Sequence, residues 1–325
     1  MPPNAFTKLS SPGDLGAVTA LAFNVAAQNL LVASVNTGIL LYDCNQYERQ
    51  ETQFHINNVI LSMAVDGSGS VYVGTDTGAV GSLDLENLKL WEMADELGVC
   101  SSSPGLDAVA GMGVIDSKLF AAKYNGNFLQ LDPRQAKAVQ QVNLEHKVFA
   151  MDVSDTYVVL GMEAHKVHIY DSRKFDQPVQ RRETGLKHQT SDIRCFPNGK
   201  GYALATIDGR VAVEYFDVSA GVQARKYAFK CHRTGGKNES EDTVYPVNAL
   251  EFDQNHDSIL YTAGSDGAVC TWDWHGRRRI KQHSGFSGAV TKMQICGPTL
   301  AVAVCDDSYR VGKRATRSSE LYVMG

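Results

Sequence analysis

Helical periodicity is nearly absent from this chain of 325 residues. Only Leu85–Leu97 has spacing that a helix would use, and it reads equally well as an outer strand followed by a turn. No apolar run reaches 18 residues, and the start, Met-Pro-Pro-Asn-Ala-Phe-Thr-Lys, lacks an apolar signal core. No membrane-spanning helix or secretory leader is therefore expected. The seven cysteines are scattered at 44, 100, 195, 231, 270, 296 and 305, and no Cys-x-x-Cys pair occurs. An odd, unpaired set argues against a disulfide framework and fits small core residues in a reducing compartment. Asn238-Glu239-Ser240 matches a glycosylation acceptor, which has no meaning without secretion. The expectation is a soluble intracellular protein.

Catalytic signatures are missing as well. The sequence has no Gly-x-x-x-x-Gly-Lys loop, Gly-x-Ser-x-Gly elbow or His-Glu-x-x-His pair. His165 and His168 lie three apart on an expected strand, so their rings point to opposite faces and cannot share a metal. Cys231 and His232 resemble a nucleophile and its base, but neighbours on a strand also face apart. No enzyme, metal or cofactor is expected. A net charge of −5 argues against bulk nucleic-acid or membrane-surface binding.

What is present is a repeat. Seven times an apolar run is followed by a turn and a second short strand. Leu30–Ser34, Asn36-Thr37-Gly38 and Ile39–Asp43 form the first. Units at Val71–Asp84, Leu119–Asp132, Tyr157–Asp171, Tyr202–Asp217 and Ile259–Asp273 follow, and Leu300–Val304 with Leu321–Val323 is the last. The turn marks recur at roughly 40- to 58-residue intervals, the period of a four-stranded propeller blade. A preceding alternating strand completes each unit, as at Ala17–Phe23, Val148–Val153 and Val247–Phe252. Trp272-Asp273 and Gly264-Ser265-Asp266-Gly267 are WD-type signatures. The pattern predicts an all-β fold: a single seven-bladed WD40 β-propeller over residues 1–325, since one blade alone cannot bury its faces. Phe6–Leu9 is expected to add to blade seven as its outer strand and hide two edges. Six blades remain the alternative if the last unit is only a tail. Asp43, Asp84, Asp132, Asp171, Asp217 and Asp273 recur once per blade, which makes them separated turn residues rather than a metal cluster.

Charge is distributed unevenly. From Arg181 to Arg233 there are ten Lys/Arg and five Asp/Glu, a net of +5 that leaves −10 for the rest. Within this sector, Asp208-Gly209 marks a tight turn, a strand is expected after it, and Arg225, Lys226, Lys230 and Arg233 follow. Cations held on sheet suit a fixed anion, although a solvated edge strand carries similar charges. Gly276–Lys281 (Gly-Arg-Arg-Arg-Ile-Lys) reads either as a basic localisation or nucleic-acid patch or as a solvated outer strand. Long polar insertions at Arg233–Val244 and Asp306–Glu320 interrupt the blades, and Thr234–Thr243 is expected to lack regular structure. Ser103-Pro104 is too common a phosphosite pattern to decide anything.

Gly185-Leu-Lys187, Ile207–Asp217, Tyr227–Arg233, Tyr245-Pro-Val-Asn248 and Tyr261–Gly267 resemble the spindle-checkpoint propellers of the budding-uninhibited-by-benzimidazole (Bub) family. The resemblance spans nearly the whole chain and is strongest over 180–275. The messenger-RNA-export propeller that docks at nuclear pores shares Phe-Lys-Cys-His-Arg and is the alternative, whereas Val213-Glu214-Tyr215 looks like the checkpoint branch. The ending Ser-Ser-Glu-Leu-Tyr-Val-Met-Gly looks like the fungal form. The resemblance implies a nuclear adaptor, monomeric within its complex, that acts at kinetochores in mitosis. It implies binding to a short motif of checkpoint kinases and Mad-type relatives, and reading of phosphothreonine in Met-Glu-Leu-Thr repeats of a kinetochore scaffold. The phosphate-holding cations of that family fall on Arg210 and Lys230. Lys187, Arg194 and Tyr124 are carried over as partner-peptide residues. The family's first- and third-turn Trp-Asp pairs are replaced here by Val35-Asn36 and Tyr124-Asn125, and a partner-pairing arginine by Ser191.

Overall fold

A strand covered on both faces needs apolar side chains at consecutive positions, and one at the outside of a stack needs few. The chain alternates these two kinds. The second strands Asn29–Ser34, Val71–Thr75 and Gly201–Thr206 are buried throughout, whereas the fourth strands Lys89–Glu92 and Arg278–Ser284 are largely exposed. A computed structural model describes residues 5–47, 49–54, 56–87, 89–93, 106–235, 242–308 and 318–325, with backbone alone for 49–54. It contains seven four-stranded antiparallel sheets, the blades of an all-β, seven-bladed propeller.

Two compact units share the blades. Thr19–Glu183 carries blades one to four. The segments Met1–Val18 and Thr184–Gly325 carry blades five to seven. In the first unit Phe120, Phe128, Tyr170 and Phe175 pack between neighbouring sheets, with Phe128 and Phe175 ring centroids 4.6 Å apart. In the second, Phe196, Tyr215, Phe252 and Trp274 do the same between blades five and six. Burying such a side chain contributes about 1.5–3 kcal/mol, and the contact between blades makes that burial possible.

Blades two to six each carry a bulge at the second residue of the innermost strand, for example between Val109 and Gly111, Thr190 and Asp192, and Val247 and Ala249, and blade seven carries one at the third, Thr291. The extra residue turns its side chain toward neighbouring elements. Asn248 thereby donates to the Val290 carbonyl at 2.9 Å. The expected strand at Phe6–Leu9 forms: Thr7 and Lys8 pair with Val323 and Tyr322, and the Leu9 amide donates to the Leu321 carbonyl.

Several expectations need correcting. Both ends of Thr234–Thr243 are strand, in a two-stranded hairpin of Arg233–Gly235 with Asp242–Val244; residues 236–241 lie outside the described residues. Composition misled here because this hairpin packs no apolar face. The third strand of blade five ends at Tyr215, short of Asp217, and a single helical turn, Ala220–Gln223, follows. Arg225 and Lys226 therefore precede the fourth strand, Tyr227–Lys230, and do not lie on it. His165 sits in a 3-10 turn, Glu163–His165, at φ 60°, so it does not share a strand with His168. The strand reading of Leu85–Leu97 holds for Lys89–Glu92; residues 94–97, Ser103-Pro104 and most of the insertion after Asp306 lie outside the described residues.

Candidate functional site

Blade five presents its basic residues at the end where its second strand turns into its third. Thr206 closes the one and Arg210 opens the other. The Thr206 hydroxyl donates to Asp208 Oδ1 at 2.5 Å. Gly209 follows at φ 67°, and a Cβ there would lie 2.6 Å from the Cys231 carbonyl, so glycine is needed both for the turn and for the close approach. The Cys231 amide donates to the Gly209 carbonyl at 2.9 Å and fixes the end of the fourth strand against the turn.

This arrangement puts Arg210 and Lys230 directly opposite each other across adjacent strands. Like charges in that position cost roughly 0.2–1 kcal/mol, and an anion held between them relieves the cost. Both side chains reach solvent; that of Arg210 is 40% exposed. Lys230 has no ion-pair partner among the described residues. Arg210 Nε contacts Asp208 Oδ2 at 2.9 Å. A third cation is anchored beside them: Arg233 Nη2 donates to the Asp208 carbonyl at 2.7 Å, and its buried Nε has no partner among the described residues. Three cations thus gather at this end of blade five.

The other carried-over positions fall elsewhere. Lys187 is exposed on the segment leading into Thr190, at the same end of blade five. Arg194 is four residues into the innermost strand, where its Nε donates to the buried Glu251 at 3.2 Å and Nη1 approaches Asp192 at 3.7 Å. A partner peptide would have to share that guanidinium. Ser191 is the bulge residue of the same strand, and its buried hydroxyl has no partner among the described residues. Tyr124 belongs to the Thr19–Glu183 unit, where it stacks near Phe149 with Lys147 Nζ 5.4 Å from its ring centroid. Arg225 lies over the Tyr215 ring and Lys226 pairs with Glu214 at 3.2 Å, so neither contributes to the Arg210–Lys230 pair.

One functional-looking pair proves structural. His232 follows the fourth strand of blade five at φ 49° with a fully buried side chain. Its Nδ1 lies 2.8 Å from Asp266 Oδ1, and its Nε2 lies 2.8 Å from the Thr262 hydroxyl, which accepts from Trp272 Nε1 at 3.0 Å. A proton on Nδ1 lets all four groups bond, since the threonine hydroxyl then donates to Nε2. Gly264 makes room for the ring: a Cβ there would sit 2.5 Å from Nδ1. The sequence contained Gly264, Asp266 and Trp272 in the WD-type signatures of blade six, but nothing in it linked Asp266 to a histidine 34 positions earlier. Burial pushes the Cys231 thiol far above its ordinary range, which removes it as a nucleophile.

The aspartates that recur once per blade cap turns. Asp43, Asp84, Asp132, Asp171, Asp217 and Asp273 accept from backbone amides two or three residues on, at 2.6–3.0 Å. At Asp171 the Arg173 guanidinium holds the carboxyl down at about 2. Among the described residues no three His, Cys, Asp or Glu side chains could share a metal ion.

No family model matches the sequence. Individual relatives do. The chain is 31% identical over 335 residues to the mitotic checkpoint protein BUB3.1 of Arabidopsis thaliana, an alignment that takes in 99% of this chain and 93% of the relative. It is 33% identical over 307 residues to the mitotic checkpoint protein bub3 of Dictyostelium discoideum, covering 93% and 89%. It is 28% identical over 310 residues to the spindle assembly checkpoint protein bub3 of Schizosaccharomyces pombe, covering 94% of each.

Proposed function

The chain belongs to the Bub3 family of mitotic checkpoint proteins, and on that footing we propose that it is a non-enzymatic adaptor that reads phosphothreonine. Its ligand on this reading is a Met-Glu-Leu-Thr segment of a kinetochore scaffold phosphorylated on the threonine. Its partners are a checkpoint kinase and a Mad-type protein bound through a short linear motif, and its place of action is the kinetochore of a mitotic nucleus.

The observation that supports the reading is the cross-strand register of Arg210 and Lys230. A phosphate carries about −1.5 to −2 charge and three acceptor oxygens, and between two cations it gains one to three charge-assisted hydrogen bonds. Exposed contacts of this kind contribute only about 1–2 kcal/mol each, so one repeat binds modestly and several repeats together set recruitment. Arg194, already committed to Glu251 and Asp192, makes a weaker candidate for partner binding than Lys187.

A fluorescent Met-Glu-Leu-Thr peptide, with and without phosphate, titrated against the protein alone and with a partner motif supplied, tests this directly. Binding is expected to require the phosphate. Arg210→Ala or Lys230→Ala is expected to abolish that requirement while stability changes by less than about 1 kcal/mol. Equal affinity for both peptides, or a large loss of stability in either variant, counts against the reading.

A further inference from the structure

Resting on the phosphate-reading proposal, we infer that Asp208 is a specificity-determining residue of that site. Its fixed carboxylate opposes every anionic ligand in proportion to the ligand's charge and so keeps a single phosphothreonine exchangeable.

Asp208 cannot swing aside. One carboxylate oxygen is held by the Thr206 hydroxyl, the other faces Arg210 Nε at 2.9 Å, and the main-chain carbonyl accepts from Arg233. Its side chain is only 17% exposed, so water screens it less than it screens the cations. The turn also carries Gly209, whose carbonyl accepts from the Cys231 amide at 2.9 Å and so ties the backbone to the fourth strand. A negative charge is therefore built into the same turn as the phosphate-facing Arg210 and stays there whether or not a ligand is bound.

Two roles could follow from this contact, and they differ in sign. If Asp208 mainly oriented the Arg210 guanidinium, its loss would weaken phosphate binding. Orientation is already supplied, however, by the strand that places Arg210 opposite Lys230. The repulsive role is unavoidable, because a phosphate bound by the Arg210 guanidinium sits on the order of 6 Å from the carboxylate that contacts the same group. At a dielectric near that of water, each unit of ligand charge at that separation corresponds to about a threefold change in affinity, hence about tenfold for a dianion.

The test uses the full chain and three peptides that differ only at the last residue of Met-Glu-Leu-Thr: threonine, glutamate and phosphothreonine. Asp208→Asn retains an oxygen for the Thr206 hydroxyl and removes the charge. It is expected to leave the threonine peptide unchanged, tighten the glutamate peptide about threefold and tighten the phosphopeptide about tenfold. These gains are expected to shrink toward unity at about 1 M salt. Asp208→Glu keeps the charge and is expected to track the wild type, and matching thermal midpoints show that all variants fold. Weaker phosphopeptide binding in Asp208→Asn, or the same shift for all three peptides, overturns the inference while leaving phosphate reading intact. A wild-type protein that does not separate threonine from phosphothreonine, and an Arg210→Ala variant that changes nothing, overturn the proposed function and this inference together.

Discussion

The His232 side chain is fully buried, yet both ring nitrogens have partners, and the group beyond each nitrogen is itself bonded. That completeness makes the cost of interrupting it large. Asp266→Ala leaves a buried ring nitrogen unpaired, which costs about 1–3 kcal/mol. Gly264→Ala forces a methyl group against the same ring and costs a similar amount. Chemical denaturation of both variants is expected to show these losses, with phosphate discrimination retained in whatever remains folded. An Asp266→Ala variant of wild-type stability sinks the structural assignment of His232. At this scale the sequence was partly legible. The aspartates that follow the short strands were readable as turn caps because a side-chain oxygen reaches the next amides locally, wherever the chain goes. The His232 bonds were not readable, since they join residues 30 and 34 positions apart through a register that only folding creates.

Elements buried on both faces, and the outer strands left to solvent, were legible. The all-buried second strands and the polar fourth strands follow from alternation and from stretches of Val, Leu, Ala and Ile. Elements with little to bury were read poorly. The hairpin Arg233–Gly235 with Asp242–Val244 has no core face, and the helical turn at Ala220–Gln223 is shorter than any periodicity can show. Of the basic run, Arg278–Lys281 lies on the exposed outer strand of blade six, where Arg278 pairs with Asp273 at 3.3 Å and a bulge at Ile280 breaks the ladder, while Arg277 sits in the turn before it. Charge and a bulge together guard an edge strand against unwanted pairing.

The strand at Thr7–Lys8 is held as much by one side chain as by its ladder. Glu320 accepts from Lys8 Nζ at 2.5 Å, from Ser287 at 2.5 Å and from Tyr322 at 2.9 Å. With Lys8 the largest influence, these donors draw its carboxyl down to about 2 from an ordinary 4.5. A depressed folded value stabilises above the unfolded one, so the contribution is complete above about pH 4.5 and disappears as pH falls toward about 2. Because Lys8 is half exposed, screening limits it to about 1 kcal/mol. Denaturant midpoints of wild type and Glu320→Gln are expected to differ at about pH 6 and to converge below about pH 3. A gap that does not change with pH removes the ion pair as its cause.

For the whole molecule, the repeat settled fold class before any contact was known, because seven units of one pattern admit few arrangements that bury their faces. The charge asymmetry, +5 over Arg181–Arg233 against −10 elsewhere, also pointed to blade five. It could not separate Arg210 and Lys230 from Arg225 and Lys226, since that depends on where a helical turn interrupts the sheet. A single-domain reading of the repeats carries its own expectation of one calorimetric unfolding transition. Two resolved transitions would instead give Thr19–Glu183 and the remaining blades separate stabilities. The pairing of Lys8 with Glu320 spans 312 positions. On a ribosome adding 5–20 residues each second, the first of these residues emerges roughly 15–60 s before the second exists. Among the described sheets, blade seven is thus the one whose first-made strand pairs with its last-made one, and for that interval the Thr7–Lys8 strand waits without a neighbour.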